Sequence, residues 1–171
     1  MLNTDNELDL TPHFAQEGGQ PFKDRRATMP WRGAVPIAKE QLEPTWQQVL
    51  SQAAPPRKRL LYLHIPFCAT HCTFCGFYQN RYEEDSCARY TDALLHEIAM
   101  EADSVLHQSA PIHAVYFGGG TPSALSARDL ARIITALRER LPLAPDCEIT
   151  IEGRVLNFDD ARIDACLDAG A

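Results

Sequence analysis

The chain has 171 residues, 45% of them hydrophobic and 23% charged, a composition that fits one folded domain of average size and excludes disorder throughout. A formal net charge of −7 excludes a general surface for nucleic acid or anionic membrane, since the basic run RKR at 57–59 is too short to supply the necessary cluster. No basic segment leads into an apolar one at the N-terminus, and nowhere do about 18 apolar residues run together. The chain is therefore expected in the cytoplasm, without membrane insertion. Six cysteines in such a chain read as thiols kept reduced for metal binding or catalysis rather than as a disulfide framework.

In chain order, residues 1–57 read as an irregular arm, rich in proline and glycine and weak in periodicity, with one short helix from Glu43 to Gln52. Residues 58–171 carry regular punctuation. LLYLHI from Leu60 to Ile65 is a strand, and Tyr90, Leu94, Leu95 and Ile98 mark a helix by their spacing. IHAVYF from Ile112 to Phe117 is a second strand, followed by a helix that opens on the capping pair Ser126 and Asp129. CEITIE from Cys147 to Glu152 is a third strand, and a third helix from about Asp159 stops at Gly170. Strands alternating with helices predict an α/β protein of right-handed βαβ units on a parallel sheet, with about three βα units present.

Side-chain parity adds a constraint. Leu61, Leu63 and Ile65 share one face of the first strand, with Tyr62 and His64 on the other; Ile149 and Ile151 oppose Glu148, Thr150 and Glu152 in the third. A sheet covered by helices on both sides would be apolar on both faces. One polar face predicts a sheet curved around a ligand-holding interior; the alternative is that these polar groups merely lie near strand ends.

Cys68, Cys72 and Cys75 fall within eight positions directly after the first strand, where α/β barrels carry their chemistry. A structural zinc site is one reading, with His71 as a fourth ligand, although no second ligand pair follows. A thioredoxin-like redox pair is another, but it leaves Cys68 unexplained. An iron–sulfur cube held by three thiolates is the third, and it keeps one iron open to bind and reduce something.

The spacing Cys-x3-Cys-x2-Cys after a first strand resembles that of the radical S-adenosylmethionine (SAM) superfamily. YLHIPFC, GGGTPS and EITIE follow in the order found in the branch that contains oxygen-independent coproporphyrinogen III oxidase and the heme chaperone. Within that branch, CATHCTFCGFYQN and the upstream MPWRG look most like the anaerobic heme-utilisation enzymes, which methylate heme and open its ring. The resemblance covers about residues 58–171. Phe77 stands where the oxidase pattern has another cysteine, and GRVLNF replaces the usual continuation of the third strand.

The resemblance implies the N-terminal part of a partial (β/α)6 TIM-like barrel. It implies that Cys68, Cys72 and Cys75 hold a 4Fe-4S cluster whose fourth iron chelates SAM, and that reduction of SAM yields a 5′-deoxyadenosyl radical. By the same similarity Tyr62, Phe74, Gly119, Gly120 and Thr121 contact SAM, and Glu152 accepts hydrogen bonds from its ribose. No catalytic residue beyond the cluster is assigned. Heme or a related tetrapyrrole is the implied substrate, with a low-potential donor such as flavodoxin or ferredoxin. The alternatives are a porphyrinogen oxidase or heme chaperone of the same branch and, from another class, a non-enzymatic metal-binding or electron-transfer module.

His64 reads either as a substrate contact or as a packing histidine, and His71 as a loop residue. Cys87, Cys147 and Cys166, lacking ligand spacing, are expected to be buried inert thiols. Trp31 reads as a cover for a porphyrin plane or as an arm anchor. Because the chain ends after its third helix, it is expected to be a fragment that binds a cluster weakly and turns over little by itself.

Overall fold

Alternating side chains on two strands and a helical repeat after each one leave a single economical arrangement, and the computed structural model, which describes residues 34–76 and 80–171, adopts it. The compact unit runs from Lys39 to Ala171. It contains α1 (Lys39–Leu50), β1 (Leu60–Ile65), β2 (Phe67–Cys68), β3 (Asn80–Arg81), α2 (Glu84–Glu101), α3 (Val105–Gln108), β4 (Ile112–Gly119), α4 (Ala127–Arg140), β5 (Leu143–Ile151) and α5 (Asp160–Asp168). Three strands form a parallel sheet in the order β1-β4-β5. The main helices α2, α4 and α5 follow its three strands in turn, as the βαβ expectation requires.

Register explains the packing. Leu63, Phe117 and Ile151 lie abreast on one face, and Tyr62, Tyr116 and Thr150 on the other. The first face, with Ile65 and Val115, is buried against Leu130, Ile133, Ile134 and Leu137 of α4, with Leu94, Leu95 and Ile98 of α2 packed on its margin. Each fully buried aliphatic side chain contributes roughly 1.5–3 kcal/mol. The second face carries the exposed Tyr62, His64, Glu148 and Glu152. The one-sided sheet predicted from parity is therefore present.

Helix termini follow their sequence signals. The Ser126 hydroxyl accepts from the Asp129 amide at 3.1 Å and donates to the Asp129 carboxylate at 2.7 Å. Asp159 caps α5 by accepting from the Arg162 amide at 3.0 Å, and this bond, with the Arg162 guanidinium, holds its carboxyl below the usual carboxylate range. Gly170 takes φ +93° just past α5, the left-handed conformation that glycine adopts without a Cβ penalty.

Three features depart from the expectations. The first helix spans Lys39–Leu50 instead of Glu43–Gln52, with Pro44 inside it, and it belongs to the compact unit. A proline forfeits one helical bond. That loss is offset where Trp46 Nε1 donates to Glu101 Oε1 at 2.7 Å and Leu50 is buried. The third strand begins at Leu143, earlier than Cys147, and passes through Pro145. This strand lies at the sheet edge, where a missing donor is tolerated. The β2–β3 pair was not expected at all. Trp31 and Phe77 lie outside the described residues.

Candidate cofactor site

The site grows from the carboxyl ends of the three parallel strands. After β1 the chain turns through Pro66 into β2, and β2 pairs with β3, tying both ends of the cysteine loop together. The Tyr82 amide donates to the Cys68 carbonyl at 3.0 Å, and Asn80 Nδ2 donates to the Pro66 carbonyl at 3.3 Å. Within the loop the Cys75 amide donates to the Cys72 carbonyl at 3.0 Å, and His71 Nε2 lies 3.3 Å from the Cys75 carbonyl. All three cysteines are half-buried thiols, whereas Phe74, between two of them, is 91% exposed.

The glycine-rich turn after β4 meets this loop from the side. The Gly120 amide donates to the Ile65 carbonyl at 2.8 Å, and the Thr121 hydroxyl donates to Cys68 Sγ at 3.4 Å. Gly119 has φ +111°, in the left-handed region. At Gly120 the constraint is space: a Cβ would lie 2.7 Å from the Phe67 carbonyl oxygen and 3.0 Å from Cys68 Sγ. Glycine therefore lets the turn lie directly against the first cysteine.

On the open face the Tyr62 and Tyr116 rings stack with centroids 6.3 Å apart and 16° between planes. The Tyr116 hydroxyl donates to Glu152 Oε1 at 2.7 Å, and this bond raises the Tyr116 pKa above the ordinary phenol value. Ser123, fully buried, holds the neighbouring turn: its amide donates to the Glu152 carbonyl at 3.3 Å, and its hydroxyl accepts from the Arg154 amide at 3.1 Å. Gly120, Thr121, Thr150, Glu152 and Arg154 line an open depression of about 490 Å³. Of the residues singled out from sequence, Gly120, Thr121 and Glu152 thus share one depression and Thr121 touches Cys68. Tyr62 reaches Glu152 through Tyr116, while Phe74 points to solvent.

His64 is exposed on the site face, 3.1 Å from the Tyr62 hydroxyl through Nδ1, so it is not a packed core histidine. Tyr116, Ser123 and Arg154 were missed in the sequence. Alternation in IHAVYF places Tyr116 opposite Val115 and Phe117 and would have found it; no local pattern marks Ser123 or Arg154.

Cys87 and Cys166 are buried and Cys147 is half-buried; burial pushes all three thiols above the ordinary range. Since the thiolate is the nucleophile, Cys87 and Cys166 should alkylate about tenfold more slowly than Cys68, Cys72 and Cys75 in native, metal-free protein. Peptide mapping after a timed iodoacetamide pulse checks this, and equal labelling of Cys87 and Cys72 would contradict it.

Among the described residues, no three Cys, His, Asp or Glu side chains are drawn together at metal-ligating distance. The donor set fits an iron–sulfur group: three thiols, one at the end of β2 and two on the loop after it, with Cys68 seated against a glycine whose Cβ would displace it. Sheet, loop and glycine turn together define an α/β protein that gathers thiols beside a glycine-rich turn at the carboxyl ends of parallel strands.

The chain belongs to the radical SAM superfamily, whose family model matches residues 62–171. That superfamily uses a 4Fe-4S cluster and SAM. The chain is 81% identical over 170 residues to anaerobilin synthase of Escherichia coli O157:H7, covering 99% of this chain and 38% of that protein. It is 37% identical over 108 residues to the heme chaperone HemW of Synechocystis sp., covering 60% of this chain and 25% of the relative. The solved structure of coproporphyrinogen III oxidase (HemN) from Escherichia coli, a radical SAM enzyme, matches with a TM-score of 0.67 at 29% identity, over 80% of this chain and 31% of that one. The chain thus spans well under half the length of the relatives it matches. No helix among the described residues is long and apolar enough to cross a membrane.

Proposed function

We propose that this chain carries the cofactor-binding part of a radical SAM methyltransferase that transfers a methyl group to heme and starts anaerobic opening of the tetrapyrrole ring, with release of iron. The observation that carries this reading is the 81% identity, over almost the whole chain, to a protein called anaerobilin synthase. Cys68, Cys72 and Cys75 hold the cluster, and Tyr62, Phe74, Gly119, Gly120, Thr121 and Glu152 contact SAM. When bound, the cluster supplies an electron and SAM supplies the radical and the methyl group. The chain's own contribution is positional. Gly120 admits close approach to Cys68, and Glu152, held by Tyr116, presents a carboxylate that accepts hydrogen bonds from ribose hydroxyls. A cytoplasmic location and a low-potential donor such as flavodoxin or ferredoxin belong to the same proposal.

The test uses the complete protein that carries these residues, reconstituted anaerobically with iron and sulfide and given SAM, a low-potential reductant and heme. Mass spectrometry should find a methylated, ring-opened tetrapyrrole. Unchanged heme, beside an intact cluster and active SAM cleavage, would sink the proposal and favour a heme chaperone or a porphyrinogen oxidase.

A further inference from the structure

Arg154 stands out among the residues lining the depression. Its backbone is tied down on both sides: its amide donates to the buried Ser123 hydroxyl at 3.1 Å, and its carbonyl accepts from the Asn157 amide at 2.8 Å. Its guanidinium has no hydrogen-bonded or ionic partner among the described residues, although Glu152 lies two positions away on the same depression. Glu152 is instead engaged by Tyr116. The chain as a whole carries a net charge of −7, so its general field repels anions and a half-buried, uncommitted cation at the site works against that field.

The next two residues supply the second observation. Val155 and Leu156 occupy a single 3-10 turn directly after Arg154 and are 95% and 87% exposed. Isolated exposed aliphatic residues need no explanation, but here a pair of them is held beside an unpaired guanidinium on the rim of the site. A fork of N–H donors followed by an aliphatic ledge matches a ligand with a carboxylate on a broad apolar frame. SAM also has a carboxylate, but it lacks such a frame.

We infer that Arg154 binds a propionate carboxylate of the tetrapyrrole substrate, while Val155 and Leu156 lie against the apolar ring. This rests on the heme reading above. It assigns a role to GRVLNF, the segment that follows the third strand. No covalent step is involved: Arg154 orients the ring relative to the cofactor site and leaves the chemistry elsewhere.

Heme and its dimethyl ester, in which both propionates are uncharged, provide the discriminating pair of ligands. Both are titrated, in one detergent buffer, into the complete cluster-loaded protein and followed by absorbance. Unsubstituted protein should bind heme about 10- to 100-fold more tightly than the ester, the value of one charged hydrogen-bonded pair. Arg154→Gln should remove most of that preference by weakening heme alone, Arg154→Lys should keep part of it, and Leu156→Ser should weaken both ligands alike. Equal affinity of the unsubstituted protein for heme and ester overturns the inference without any variant. So does an Arg154→Gln protein that keeps the full preference, or one that weakens heme and ester equally. Loss of SAM binding in Arg154→Gln with heme affinity intact assigns the guanidinium to SAM and also overturns it. Failure of the unsubstituted protein to bind either tetrapyrrole is a separate result, which removes the heme reading itself.

Discussion

Cys72→Ala should leave the fold in place and remove the cofactor. Cys72 is half-buried on a loop, outside the packed face of the sheet, so melting of the metal-free protein should shift by no more than about 0.5 kcal/mol, as for most surface substitutions. The cofactor should respond very differently. Three thiols are the donors proposed for the cluster, and losing even an outer-shell partner of a metal ligand commonly costs 10- to 100-fold in affinity. Loss of a ligand itself should take cluster iron and SAM cleavage down by about 10²-fold or more. Iron and sulfide analysis after anaerobic reconstitution, followed by a SAM-cleavage assay, checks this. Cys147→Ser is the matched control, since Cys147 lies on β5 away from the loop. Full iron content in Cys72→Ala, or equal loss in Cys147→Ser, would show that the thiolates assigned to the cluster are the wrong ones.

Gly120→Ala tests the neighbouring turn and should damage fold and cofactor together. The added methyl would lie 2.7 Å from the Phe67 carbonyl oxygen, closer than real Cβ atoms approach, and the obstacle is backbone, which cannot rotate away. Either β2 moves, carrying Cys68 with it, or the turn loses its bond from the Gly120 amide to the Ile65 carbonyl. Overpacking of this kind costs about 1–3 kcal/mol, or roughly 2–4 °C in Tm for each kcal/mol in a chain of this size. Cluster iron should fall as well, because the displaced group carries Cys68, one of the three proposed ligands. Gly76→Ala is the comparison: among the described residues nothing lies within 4 Å of a Cβ at that position, so its melting point should barely move. If the two alanine variants melt together and hold equal iron, the turn does not seat Cys68 in the way described.

Both variants act on a site that was only partly legible beforehand. The cysteine spacing, the glycine run and the parity of Tyr62 and Glu152 are local patterns, and local patterns survive in a one-dimensional string. The link from Tyr116 to Glu152 joins residues 36 apart, and the buried Ser123 hydroxyl meets an amide 31 residues further on. Nothing in either neighbourhood announces these partners. Element bounds moved for a similar reason: α1 begins at Lys39 and β5 at Leu143, and each runs through a proline where tertiary support or an edge position tolerates the missing donor.

The identity of the three main strands and the helices after them, the apolar and polar faces of the sheet, the caps at Ser126, Asp159 and Gly170, and the cluster of three thiols were present in the order of residues, because each depends on period or on neighbours a few positions away. The pairing order β1-β4-β5 and the seating of Cys68 against Gly120 depend on contacts between distant segments. So does leaving the Arg154 guanidinium without a partner among the described residues. Such contacts exist only once burial of the Leu63, Phe117 and Ile134 face has brought those segments together, and that collapse is collective rather than local.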